Sequence, residues 1–271
     1  MKPRSVLLHA VLALGALLSL GPLLWMVSAS FMPDGQATSL PPEVLPSPAT
    51  LDQYRTLFSR LSMGRYLANS ILVALLVTSV SLLVNSLAGY AFAKLRFRGR
   101  DRVFRVLATG LVVPVQVSML PLFLLLKQLG LINSYWGVII PGMASIFGIF
   151  LIRQYAQSIP DELLDAARID GSSELRTYWS IVVPTIVPIL ATLAIWTFLS
   201  TWNDFMWPLI VLSDESRYTL PVALANLMGE HVQDTELMMA GSVLTVLPVM
   251  LVFLFLQRYY IQGIMVGSVK G

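Results

Sequence analysis

The sequence contains no cysteine and only two histidines, His9 and His231. Disulfides, thiolate metal sites and cysteine nucleophiles are thereby excluded. The histidines stand far apart and no HExxH or HxH spacing occurs, so no metal site is assigned. Charge is scarce as well. Only 12% of the 271 residues are Asp, Glu, Lys or Arg, about half the share of a soluble domain. In their place 56% of the residues are hydrophobic and the mean hydropathy is +0.74, in aliphatic runs too long for one soluble core. A soluble enzyme is excluded. The GxxxxGK[ST] phosphate loop is also missing, so ATP hydrolysis has to come from another chain. No Asp or Glu falls at mid-depth of an apolar run, which disfavours a self-sufficient ion-coupled carrier or channel. Nor is there a paired nucleophile and base for an intramembrane enzyme.

What the sequence does hold is spans. A crossing helix needs roughly 20 mostly apolar residues, each rising about 1.5 Å across a hydrocarbon layer about 30 Å thick. Six segments qualify, at about 6–31, 67–93, 106–126, 135–152, 181–212 and 237–256, and they predict an all-α integral membrane protein of one domain. The first has Lys2 and Arg4 before it and Ser28-Ala29-Ser30 near its end. It outruns the 7–15 residues of a signal-peptide core and is read as a retained span. With the amino terminus inside, thirteen of the 18 basic residues fall on the cytoplasmic side, including every one from Lys94 to Arg105. The positive-inside rule selects this N-in, C-in arrangement. The net charge of +3 thus marks topology, and no nucleic-acid partner is inferred.

Three connections carry pattern. The outside loop 33–66 begins with Pro33, Pro41, Pro42, Pro46 and Pro48, which forbid a regular helix. Thr50 and Gln53 then fit a capping box, and Leu51, Tyr54, Leu57, Phe58 and Leu61 follow helical spacing, as in an amphipathic surface helix. That helix either meets an external partner or anchors the chain entering the second span. The outside loop 213–236 is acidic. The cytoplasmic loop 153–180 is the most informative. Pro160 suits a first helical position, Asp161 and Glu162 complement the helix dipole, and Gly171 reads as the left-handed residue past the helix end. Ser172 or Ser173 can cap a second short helix. Ala166 and Ala167 leave a face with little side chain, open to close approach by another protein.

Asp165-Ala166-Ala167, three residues, Gly171, nine residues and Ile181-Val182-Val183-Pro184 resemble the EAA loop of permease subunits in binding-protein-dependent ATP-binding-cassette (ABC) importers. The family pattern has Glu where Asp165 stands and Leu where Val183 stands, with the same spacing. Ala88 to Gly99 (AGYAFAKLRFRG), Thr201 to Leu209 (TWNDFMWPL) and the tail Gln257 to Gly271 are similar to the shorter permease of the maltose-type, carbohydrate-uptake branch.

The resemblance implies a type I importer permease fold and a half-channel that pairs with a second permease, as a heterodimer, and moves a sugar by alternating access. An ATPase dimer, holding ATP and magnesium, docks beneath it. An extracellular or periplasmic solute-binding protein delivers the sugar, and the location is the bacterial or archaeal cytoplasmic membrane, in contact with lipid. Asp165, Ala166, Ala167 and Gly171, with Ile181 and Pro184 behind them, become the ATPase-coupling residues. The tail Gly267, Ser268, Val269, Lys270 and Gly271 becomes a second ATPase contact. A non-sugar solute such as glycerol phosphate remains the alternative cargo. Polar and aromatic side chains that can face a cavity nominate the substrate path: Gln116 and Ser118 between Pro114 and Pro121, Asn85, and the group Trp202, Asn203 and Asp204. For the stretch from Trp202 to Trp207 an outer aromatic belt with a water-facing carboxylate is the competing reading.

Overall fold

The computed structural model describes residues 3–41, 43–230 and 234–268, and among them the regular structure is entirely helical. In chain order the α-helices are α1 (Pro3–Ala29), α2 (Asp52–Ser59), α3 (Met63–Lys94), α4 (Arg100–Thr109), α5 (Val115–Gln128), α6 (Tyr135–Gly142) and α7 (Ile146–Ala156). They continue as α8 (Asp161–Ile169), α9 (Glu174–Thr177), α10 (Val183–Trp202), α11 (Met206–Val211), α12 (Leu220–Glu230) and α13 (Thr235–Ser268). Two compact units divide the chain: Met1–Leu67 with Leu220–Pro248, and Ala68–Thr219 with Val249–Gly271.

In the first unit α1 keeps its apolar side chains on the surface up to its last turn, as a helix bathed in lipid does. Its end is buried: Ala29 and Met32 pack inside, and Ser30 Oγ bonds Tyr54 of α2 at 2.8 Å. The capping box expected from Thr50 and Gln53 does not form. Thr50 Oγ1 accepts the Asp52 amide at 3.1 Å, while Gln53 is buried and donates to the Asp34 carboxylate at 2.6 Å. A polar side chain drawn into the interior satisfies the interior before it can cap its own helix. Glu236, at the start of α13, is buried and accepts the Ala37 amide at 2.7 Å.

In the second unit the membrane-length helices are repeatedly interrupted. Across the described residues of both units, five helical stretches are long and apolar enough to cross a bilayer, and a sixth is added if a pair bent by 107° counts as one. That pair is Arg100–Val112 and Val115–Gln128, so the stretch 106–126, expected as one span, turns sharply in its first half. The cause is Pro114: its ring drives Val113 out of the helical region, to φ −79° and ψ 118°.

The fourth expected span is also two pieces. α6 ends at Gly142, and Ser145 starts α7 by accepting the Gly148 amide. The freed Ser145 amide donates to Asn85 Oδ1 at 3.0 Å, and Asn85 Nδ2 donates to Ser81 at 2.7 Å. A buried helix break inside an apolar stretch is tolerated because a neighbouring helix supplies the missing acceptor. A Cβ at Gly148 would lie 2.6 Å from Asn85 Nδ2 and 2.7 Å from Ser145 Oγ, so only glycine fits.

The expected fifth span, 181–212, ends at Trp202. The chain breaks at 203–205 before the short α11. Upstream, the helix begins at Glu174 and passes through a π-helical segment, Tyr178–Val182, before α10. Pro184, with no amide hydrogen, leaves the carbonyl of Ser180 without its usual helical donor at that widened turn.

Candidate functional site

The loop between α7 and α10 is built as a rod held from behind. Pro160 stands just ahead of α8 in an extended conformation rather than at its first turn. Gly171 takes φ +79°, the left-handed end expected of it, and Ser173 caps α9 by accepting the Arg176 amide. Leu164 is the one fully buried residue of α8, in a cluster with Tyr90, Ile152, Ile159, Tyr178 and Val182. Burying one Leu contributes about 1.5–3 kcal/mol to seating the helix.

Polar contacts complete the attachment to α3. Lys94 Nζ donates to the carbonyls of Ile159 (2.5 Å) and Gln157 (3.3 Å) and to Asp161 Oδ1 (2.6 Å). Its side chain is only 7% exposed. Tyr90 donates to Glu174 Oε2 at 2.7 Å, and Ser86 shares a 2.6 Å hydrogen bond with Tyr178. Arg168 bridges the two loop helices, with Nε donating to Glu174 and a second nitrogen donating to Asp165, each at 2.8 Å. The hydrogen bond and charge of Lys94 hold the Asp161 carboxyl below the usual carboxylate range. Glu174 first and Asp165 second push the Arg168 guanidinium further up.

The residues expected at the dock fall into two groups. Asp165 and Ala166 are exposed and Ala167 is partly so. Ile181 packs on the Leu164 cluster and supports the loop from behind, while Pro184 sits exposed at the root of α10. Two apolar residues that sequence reasoning passed over stand out here: Ile169, 86% exposed, and Leu163, 46% exposed. Large aliphatic side chains in water on a helix otherwise rich in charge were the signal available. Of the second expected contact, Gly267 and Ser268 close α13, while Val269, Lys270 and Gly271 lie outside the described residues.

The expected substrate path is also split. Gln116 and Ser118 line a cavity of about 480 Å³ together with Asp204 and Thr201, walled by Met119 and Trp207. Asn203 instead donates back to the Leu199 carbonyl at 2.9 Å. Trp202 is fully buried, its ring stacked 5.7 Å from Phe198. Asn85 serves the helix break described above. The aromatic-belt reading does not describe Trp207 either, since it is buried and its indole donates to the Gly137 carbonyl at 3.1 Å. Asp204, two residues ahead of α11, accepts the Trp207 amide at 3.2 Å.

Repeated apolar spans, a helical rod fastened to one of them and a polar-edged cavity describe a multi-pass membrane protein. Residues 85–266 match the model of the binding-protein-dependent transport system inner membrane component, and the chain belongs to that family. It is 38% identical to the arabinooligosaccharides transport system permease protein AraQ of Halalkalibacterium halodurans, over 98% of this chain and 97% of that one. It is 36% identical to the lactose transport system permease protein LacG of Rhizobium radiobacter, over 98% and 96%. Among solved structures, a bacterial ABC transporter involved in the import of the acidic polysaccharide alginate superposes with a TM-score of 0.84 at 26% identity, over 95% of this chain and 96% of that one. The fold is that of a type I ABC importer permease.

Proposed function

We propose that this chain is one half of the membrane channel of an ATP-driven sugar importer, moving its solute from a binding protein to the cytoplasm by alternating access. The observation that carries this reading is the loop rod: a capped helix whose outer face is exposed and whose inner face is tied to α3 by Lys94 and to the core by Leu164. The names of its relatives, permeases for arabinooligosaccharides and lactose, supply the solute class.

In this reading an ATPase dimer receives α8 through Asp165, Ala166, Ala167, Leu163 and Ile169, and binds ATP and magnesium itself. A second permease completes the channel. The amino terminus and the loop 153–180 lie in the cytoplasm of a bacterial or archaeal cell. ATP shifts the conformational balance only as far as its affinity differs between the two states. When closure of the ATPases displaces α8, the displacement passes to α3 through Lys94 and Tyr90 and to α10 through Leu164 and Tyr178. The cavity at Gln116, Ser118, Thr201 and Asp204 offers hydrogen-bonding groups beside apolar walls, the mixture that sugar hydroxyls and ring faces require.

The test is uptake of labelled oligosaccharides by vesicles containing the complete importer. Ala167→Glu and Ile169→Glu should remove ATPase co-purification while leaving membrane insertion intact. Gln116→Leu should slow uptake without loss of assembly. Normal uptake in all three variants, or uptake of a phosphate ester in place of sugars, would overturn the proposal.

A further inference from the structure

At the end of α3 the chain crowds five arginines into ten residues, Arg96, Arg98, Arg100, Arg102 and Arg105, against the single acid Asp101. These side chains and Phe97 surround an open concavity of about 800 Å³. Asp101 neutralises little of this charge. Its carboxylate accepts from Arg100 Nε at 3.1 Å, while Arg105 Nε donates to its backbone carbonyl at 3.2 Å. Among the described residues Arg98 and Arg102 make no ion pair. Orienting the chain requires positive charge; it does not require that charge to converge on one hollow.

The helix that follows shows what the hollow meets. Phe104 seats α4, its ring 5.5 Å from Phe92, 6.3 Å from Phe150 and 4.0 Å from the Arg153 guanidinium. At 100° per residue Arg102 and Val106 lie opposite Phe104, with Val103 and Arg105 on the two flanks between. No residue of α4 is buried. Val106 is 73% exposed, Val103 49% and Phe97 45%. Arginines beside uncovered aliphatic side chains, immediately after an apolar span, match the boundary between lipid headgroups and acyl chains. An acidic protein surface would match the arginines and leave the valines in water.

We propose that the arginine hollow at the α3–α4 junction binds the phosphate of an anionic phospholipid, with Val103, Val106 and Phe97 resting on its acyl chains. Guanidinium forks grip phosphate oxygens two at a time. This inference needs only that α3 crosses the bilayer, so it stands or falls apart from the solute carried.

Native mass spectrometry of the detergent-purified importer, titrated with phosphatidylglycerol or with phosphatidylcholine, tests it. Each arginine near an anionic surface strengthens attachment about fivefold. Arg102→Gln should therefore weaken phosphatidylglycerol binding about fivefold, and Arg98→Gln, Arg102→Gln and Arg105→Gln together about 100-fold. Lysine at the same three positions keeps the charge and the membrane topology and should retain most of the binding. Equal retention of both lipids by the wild type, or unchanged phosphatidylglycerol retention by the triple glutamine variant, would overturn the proposal. So would inorganic phosphate displacing the lipid at micromolar concentration, which would make this a free-phosphate site. Loss of ATPase co-purification with lipid binding intact would make it a protein dock and would equally refute it.

Discussion

Replacing Lys94 by Met tests whether the loop rod is useful only while it is tied down. The substitution keeps an unbranched stem of similar length in the 7% exposed site and removes the ammonium. The Ile159 carbonyl, 2.5 Å from that ammonium in a buried residue, then has no donor. A hydrogen bond from a charged donor contributes about 1.5–3 kcal/mol. The Asp161 contact adds little, because that carboxylate is 75% exposed and screened by water. The same interval raises the population of loops detached from α3 by about 10- to 150-fold, at roughly 1.4 kcal/mol per tenfold. In vesicles containing the full importer, the expected outcome is preserved assembly with the ATPases, near-normal ATP hydrolysis, and solute moved per ATP reduced at least about tenfold. Asp161→Asn leaves both carbonyl bonds in place and should cost much less. If Lys94→Met transports as many molecules per ATP as the wild type, or if Asp161→Asn is equally harmful, the attachment does not transmit the stroke and the reasoning fails.

Gly148→Ala pushes a methyl carbon to 2.6 Å from Asn85 Nδ2; overpacking of this kind costs about 1–3 kcal/mol, and the thermal midpoint of the purified chain should drop accordingly. Asn85→Leu strands the Ser145 amide at the helix break and should cost a similar amount, about 1–3 kcal/mol, so a hydrogen-exchange experiment should find α7 opening from its amino end. Gly171→Val meets no neighbour, yet φ +79° puts a β-branched residue in the left-handed region, at about 1–2 kcal/mol; a limited-proteolysis time course should show faster cleavage between α8 and α9. The Lys94 bond lowers the Asp161 carboxyl relative to the unfolded chain, so its contribution is complete above the ordinary carboxylate value and disappears only as pH falls through the lowered one. The same cleavage assay should therefore be level from pH 5 to 8, and a loosening at pH 6 would contradict the assignment.

Local chemistry was legible in the chain: the left-handed turn at Gly171, the serine cap, and the acids at the start of α8 each depend on neighbours a few residues away. Two features were not. Trp202 looked like a cavity or belt residue because in a lipid-facing helix the buried and the outward sides are both apolar, so hydrophobic periodicity no longer tells them apart. Lys94 looked like one more positive-inside charge, and only folding brings it to Ile159, 65 residues on. Gln116 and Asp204 likewise come to edge one cavity from stretches far apart in the chain. The bend before Pro114 lies between these cases: the rule for the residue preceding a proline predicts it, but an apolar run long enough to span conceals it.

In the function proposed above, the π-helical turn at Tyr178–Val182 acts as a phase adjuster between motor and channel. It accommodates one residue more than an α-helical turn would, so the docking loop and α10 are indexed separately around a shared axis. Deleting a single residue there would restore an ordinary helix and rotate everything upstream by about 100° relative to α10. The nine-residue interval between Gly171 and Ile181 therefore sets an angle as well as a length, and a loop transplanted between importers would have to preserve it to the residue.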